Sequence, residues 1–189
     1  MAPVFGDLLR CPGVIENVQL RSRFGFLALH GGSLERGTAE IAREAADAAG
    51  ASIYAVHQPE DLRWHVPSSR CDPAESPALQ AFLERVDTVV SIHGYGRDGF
   101  WRSLLVGGAD RALAFQVAGV LRAALPAYQV IDEVGAIPPA LRGLHRDNPV
   151  NRTRGGGVQL ELPPRVRDLV PGDNGHDRSA LVAAVASLA

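Results

Sequence analysis

The chain contains no lysine: its 19 basic residues are all arginines, so every cationic contact it makes is a guanidinium or an imidazole. Cysteine is scarce. Cys11 and Cys71 have neither CxxC spacing nor a neighbouring histidine cluster, which argues against a thiolate metal site and predicts two free thiols in a reducing compartment. No run of about 18 apolar residues occurs, so no transmembrane helix is expected. The first twenty residues lack a basic start followed by an apolar core; no secretory signal is expected, and the expected location is the cytoplasm. A formal net charge of -2 argues against bulk attraction to nucleic acid or to an anionic membrane, so neither is an expected partner. What remains is ordinary globular composition, 46% hydrophobic and 21% charged. The 189 residues are enough for one domain, 1–189, with a full core, and contain no repeat or low-complexity tract.

Short apolar runs alternate with helical periodicity. Strands are predicted at 23–30, 51–57, 87–93, 101–108, 127–132 and 156–163. Helices are predicted at 38–50, 78–86, 109–126 and 177–189, with a proline-bounded helical turn near "PPALRGL". The first of these has Ile41, Ala45 and Ala48 on one face, Thr38 near its N-cap and Gly50 as its stop. The segment 58–77 is rich in Pro, Ser and Asp and reads as a long loop, of a length that is usually functional or mobile. This order predicts a single-domain α/β fold with an open, mixed or mostly parallel sheet flanked by helices.

Two predicted strands end in a histidine followed by glycine, "FLALHGG" at His30 and "VVSIHGYG" at His93. In open α/β sheets ligands sit beyond the carboxyl ends of the strands, so both imidazoles face one crevice if these strands are parallel neighbours. Glu35 lies five residues after His30, a spacing that shares a face on neither a helix nor a strand. It meets the imidazole only if the chain turns back at Gly31 and Gly32, where the backbone is permissive. Two histidines and a glutamate with an open position form a ligand set of catalytic zinc. On the pattern alone, structural strand ends and a helix-terminal acid account for the same residues, and both readings stand. In "GGVQLELP", Gln159 and Glu161 share a face opposite Val158, Leu160 and Leu162. A carboxylate in so apolar a strand is costly unless paired or catalytic; beside an activated water, Glu161 can serve as general base and then proton donor. In "NPVNRTRGGG", Asn151, Arg152 and Arg154 are donors suited to a substrate carboxylate, and Arg97 can reach an oxyanion. His57 and His65 flank the long loop, and either can supply a third imidazole; His65 is favoured for substrate contact and His57 for a structural role. His145 and His176 read as surface residues. Ser68, Ser69 and Ser91 lack a nucleophile-elbow context, which argues against a serine hydrolase.

At "LHGGSLERGTAEIA", "SIHGYG" and "NRTRGGGVQLELP" the chain resembles the phage-type poly-γ-glutamate hydrolases, a zinc peptidase family with a carboxypeptidase A-like fold. The resemblance spans about residues 23–163 in the same order and leaves the N-terminal lead and the C-terminal helix outside. It implies zinc held by His30, Glu35 and His93, Glu161 as general base, Asn151 and Arg152 as a substrate-carboxylate contact, and His65 in the site. The segment "WHVPSSRCDPAESP" matches the family loosely. The implied activity is metal-assisted hydrolysis of a γ-glutamyl or other acidic amide, with release by lysis if the protein is phage-derived. An N-acyl amino acid or N-formylglutamate amidohydrolase is the close alternative. A catalytically silent metal- or ligand-binding module is the distant one.

Overall fold

The segment FGFLALHGG alternates two apolar sets along a pleated strand, and that alternation sets the layers of the molecule. A computed structural model describes residues 4–170 and 175–189. Strands β1 (Ile15–Gln19), β2 (Phe24–Gly32), β3 (Ser52–Gln58), β4 (Thr88–Gly94), β5 (Ser103–Val106), β6 (Gln129–Ile131) and β7 (Val158–Leu162) form one seven-stranded sheet, ordered β1-β3-β2-β4-β7-β5-β6. The sheet is mixed: β1–β3 and β5–β7 are antiparallel, and the other pairs are parallel.

Helices α1 (Phe5–Leu9), α2 (Thr38–Ala49), α3 (Pro77–Arg85), α4 (Arg111–Ala124) and α5 (His176–Ala186) cover both faces. Phe26 and Ala28 of β2 join Ile53, Ile92 and Leu160 beneath the apolar sides of α2, α4 and α5. Leu27 and Leu29 join Tyr54, Val56 and Val89 against α1 and α3. From β2 the chain passes to β3 on one side, and β4 lies on the other. Such a reversal opens a crevice beyond the strand ends.

Every predicted strand and helix is present, most within a residue or two of its expected ends. The strand expected at 101–108 shrinks to four residues: Gly107 still exchanges backbone hydrogen bonds with Gln159 of β7, but Gly108, at φ +90°, turns away and donates to the Arg142 carbonyl. Helix α2 is capped by Gly37 in the left-handed region, and Thr38 begins the helix, its hydroxyl donating to the Glu35 carbonyl at 2.8 Å. Its buried face is Ile41, Ala42, Ala45 and Ala46, whereas Ala48, in the last turn, is exposed. Helix α1 and strand β1 had no counterpart in the sequence reading: β1 is a half-exposed edge strand with no apolar run to announce it. Cys11 and Cys71 are free thiols. Among the described residues, no helix is long and apolar enough to cross a membrane.

Phe82 of α3 is fully buried, with its ring 6.1 Å from that of Tyr54, and it lies where a Cβ on Gly25 would come within 2.6 Å of it. Phe82→Ala is expected to cost roughly 3–5 kcal/mol, read by urea unfolding as a lower midpoint at unchanged slope.

Candidate metal centre

Strands β2, β4 and β7 are adjacent and parallel, and they carry His30, His93 and Glu161 toward the same end of the sheet. His93 and Glu161 are register partners. Alternation along β4 and β7 puts Ser91, His93, Gln159 and Glu161 on the face opposite Ile92 and Leu160. The same alternation along β2 would send His30 to the other face, with Phe26 and Ala28. It does not, because β2 carries one extra residue there: Ala28 stands opposite Ala55 and Gly31 opposite His57. A bulge of this kind re-aims the side chain beside it. The His30 ring accordingly lies 5.0 Å from those of both His93 and His65.

The chain then turns back as the His30–Glu35 spacing requires. Glu35 donates its amide to the His30 carbonyl at 2.9 Å, and Ser33 donates its own to Gln58 at 3.1 Å. Gly32 has φ +77°, and a Cβ on it would stand 2.1 Å from the Gln58 carbonyl oxygen. A Cβ on Gly31 would meet Ala39 Cβ at 2.5 Å. No side chain fits at either position, so the two glycines are requirements of the turn.

Glu35 ends between the two imidazoles. Its Oε1 is 2.8 Å from His30 Nδ1, and its Oε2 is 3.4 Å from His93 Nδ1 while accepting the Gly94 amide at 2.9 Å. Burial alone would raise this carboxyl, but His30 and His93 outweigh it and hold Glu35 far below the usual carboxylate range. The second nitrogen of His30, Nε2, faces the Val66 carbonyl at 2.8 Å. A carbonyl only accepts, so Nε2 carries the hydrogen, and Nδ1 meets Glu35 favourably only with a cation between them, a proton or a metal. Burial pushes His30 down, yet the charge and hydrogen bond of Glu35 prevail and leave it above its ordinary value.

These residues fit a divalent cation. The ligating atoms of His30, Glu35 and His93 lie within 4.8 Å of one another. His93 Nε2 is buried without a hydrogen-bond partner, and His30 shows the imidazole-to-carbonyl support usual behind a ligating histidine. Glu161, 4% exposed, stands beside them; burial pushes its carboxyl up to about 7, with Glu35 adding to the rise and His93, the Gln159 hydrogen bond and His30 opposing it. A cavity of about 340 Å³ opens over the group, walled by the loop bearing His65 and by residues 139–145. The long loop is pinned rather than loose: Gln58 exchanges two hydrogen bonds with the Trp64 backbone, and Ser33 Oγ donates to the Leu62 carbonyl.

Of the remaining expected site residues, only His65 lines the cavity, with Ser68, Ser69 and His145 beside it. His145 has an exposed side chain, as expected, but borders the site. Asn151, Arg152, Arg154 and Arg97 are not among the lining residues. Asn151 has its amide saturated by the Gly143 and His145 carbonyls and the Ala109 amide, so it ties loops together. Arg152 faces Asp72 at 3.6 Å in a neighbouring cleft; Arg97 and Arg154 are exposed. His57 sits on the surface near Glu40, and His176 opens α5. Sequence reasoning missed Asn148, whose only signal is the turn-forming "DNP", and Arg167. The Arg167 guanidinium is buried behind the site, donating to the Arg36 and Tyr95 carbonyls at 2.7 and 3.2 Å. A Cβ on Gly94 would come within 2.6 Å of it, which accounts for a glycine directly after His93.

The mixed seven-stranded sheet flanked by helices is a carboxypeptidase-like fold. A metallo-carboxypeptidase from Burkholderia cenocepacia superposes with TM-score 0.55 at 12% identity, covering 97% of this chain and 65% of that one. Within that class the chain belongs to the poly-gamma-glutamate hydrolase family, whose model matches residues 12–179, beyond the 23–163 over which the motifs run. A bacteriophage poly-gamma-glutamate hydrolase superposes with TM-score 0.74 at 22% identity, covering 96% of this chain and 91% of that one. The SPbeta prophage-derived protein YoqZ of Bacillus subtilis (strain 168) is 31% identical over 143 residues, 75% of this chain and 49% of its own. The chain spans about half the length of the curated relatives it matches.

In the metal-free protein, the Glu161 carboxyl is expected to titrate near 7 rather than near 4.5. A divalent cation nearby favours the carboxylate, so added zinc should move the midpoint down. Carbon-13 NMR of labelled glutamate, assigned with Glu161→Gln, measures both; a metal-free midpoint near 4.5 would mean a solvated carboxyl.

Proposed function

We propose that the chain is a zinc-dependent hydrolase of γ-glutamyl amide bonds in poly-γ-glutamate or a similar acidic amide. The observation that carries this reading is the placing of Glu161 opposite His93 in the ladder, beside a carboxylate shared by two imidazoles. A binder of metal or ligand needs the three-residue cluster but has no use for a buried carboxyl of raised affinity for protons.

His30, Glu35 and His93 would hold the ion, two neutral nitrogens and one anionic oxygen that suit zinc. When bound, the ion supplies a Lewis acid that polarises the amide carbonyl and acidifies water. Glu161 takes the proton from the attacking water and delivers it to the leaving nitrogen. The Val66 carbonyl and the Gly94 amide hold the His30 ring and the Glu35 carboxylate in register while this happens. His65, on the cavity wall, meets the substrate. Among the described residues no arginine lines the cavity, so the amide is met there by imidazoles, hydroxyls and backbone, with guanidinium contacts left to the ground outside it.

Elemental analysis of untagged protein should find about one zinc per chain, and little in His93→Ala. Glu161→Gln should keep the zinc and lose roughly 10²–10⁴-fold in kcat on a γ-glutamyl substrate. Wild-type protein that takes up no zinc when it is supplied would overturn the mechanism.

A further inference from the structure

Glu161 does not face the cavity unaided; a directed chain of amides ends on it. Val150 donates its backbone amide to Asn148 Oδ1 at 3.3 Å. A backbone N–H can only donate, so this contact fixes which way round the Asn148 amide lies. Its Nδ2 then points outward and donates to Gln159 Oε1 at 2.8 Å. That fixes the second amide, whose Nε2 donates to Glu161 Oε1 at 2.8 Å and approaches the Leu141 carbonyl at 3.5 Å. Both hydrogens of Gln159 are directed and its oxygen is occupied. Gly143, at φ +64° and held by Asn151, lies close against this side chain: a Cβ on it would stand 2.6 Å from Gln159 Oε1 and from its Cβ. Asn148 and Gln159 are 3% and 6% exposed, and a buried amide pair of this kind is costly unless each member is satisfied.

The direction of the chain has a chemical consequence. Glu161 Oε1 accepts a hydrogen from a group that cannot reverse, which lowers the basicity of that oxygen and makes Oε2 the preferred site for a proton carried by Glu161. We propose that Asn148 and Gln159 are positioning residues that occupy Oε1 of Glu161, a residue of the cavity wall, and so favour Oε2 as the oxygen that takes up and delivers the proton. This rests on Glu161 being the base, as proposed above. Neither residue touches the reacting atoms in this role; Asn148 acts through Gln159, and Gln159 through Glu161.

The test combines a double-mutant cycle with a readout independent of turnover. Gln159→Leu should lower kcat up to about 100-fold, as expected for a displaced catalytic group, with KM and zinc content close to wild type. In a Glu161→Gln background the same change should have no further effect. Asn148→Asp, which alters no volume but presents only acceptors to Gln159, should reproduce the loss, and it carries the test if Gln159→Leu folds poorly. Independently, the side-chain amide signal of Gln159 in nitrogen-15 NMR, assigned by its loss in Gln159→Leu, should exchange slowly with water and shift in Asn148→Asp and in Glu161→Gln. A Gln159 signal unmoved by both changes, or wild-type kcat in Gln159→Leu while Glu161→Gln is inactive, overturns the positioning role alone. Retained turnover in Glu161→Gln overturns the base assignment and, with it, the role proposed here.

Discussion

The site depends on one buried carboxylate. Glu35 is placed where ionisation is costly, and two imidazoles and the Gly94 amide compensate it. That compensation joins three parts of the chain: the end of β2 that carries His30, the turn that follows it, and β4, which comes two strands later. Remove the carboxylate and the two histidines face one another across 5.0 Å with nothing between them to accept their hydrogens. A cation introduced among these groups takes the place that a proton fills between His30 and Glu35, which is why the geometry of the metal-free protein already resembles a ligand set.

Backbone geometry makes that meeting possible. A strand of strict alternation would have carried His30 into the core beneath α2 and α5. One additional residue in β2 turns it to the face of His93 and Glu161, and the two glycines that follow let Glu35 return to it. The bulge has a local cost in pairing, but it lies at the strand end, where the sheet gives way to the crevice. On the far side of the site, β4 and β7 need no such device, because His93 and Glu161 are already opposite one another in register.

The arginines show how charge is distributed around such a centre. Among the described residues Arg167 is the buried one, and its two terminal nitrogens hold backbone carbonyls behind Gly94 while its charge lies near Glu35 and Glu161. Others form surface pairs such as Arg23 with Asp87 and Arg178 with Glu44. Among the described residues the cavity wall is made of imidazole, carboxyl, hydroxyl, amide and apolar groups. A guanidinium placed among His30, His93 and an incoming cation would repel that cation, so keeping arginine off this wall is consistent with a centre built to hold positive charge.

The order of strands and helices was legible from apolar periodicity, because residues buried on one or both faces must repeat at the spacing of the element that carries them. The meeting of His30, Glu35 and His93 was legible from two histidines ending apolar runs and a glycine turn that returns Glu35 to the first of them, and Glu161 stood out as a carboxylate within an apolar strand. The edge strand β1 was not, because a half-exposed edge needs no apolar run, and Ala48 was misplaced because periodicity does not say where a helix outruns its cover. The arginine-bearing loop at 151–154 was legible as chemistry but not as place: Asn151 is consumed by the loops it ties, and Arg152 faces another cleft. Asn148 signalled only a turn, and Arg167 carried no signal, because its role is a contact with segments far along the chain. Sequence by itself determined the order of the elements and most of the faces they bury, as these follow from the local fit of side chain to element. Tertiary structure alone decided which of them meet, because the bulge, the register and the directed hydrogen bonds exist only once distant segments are packed together.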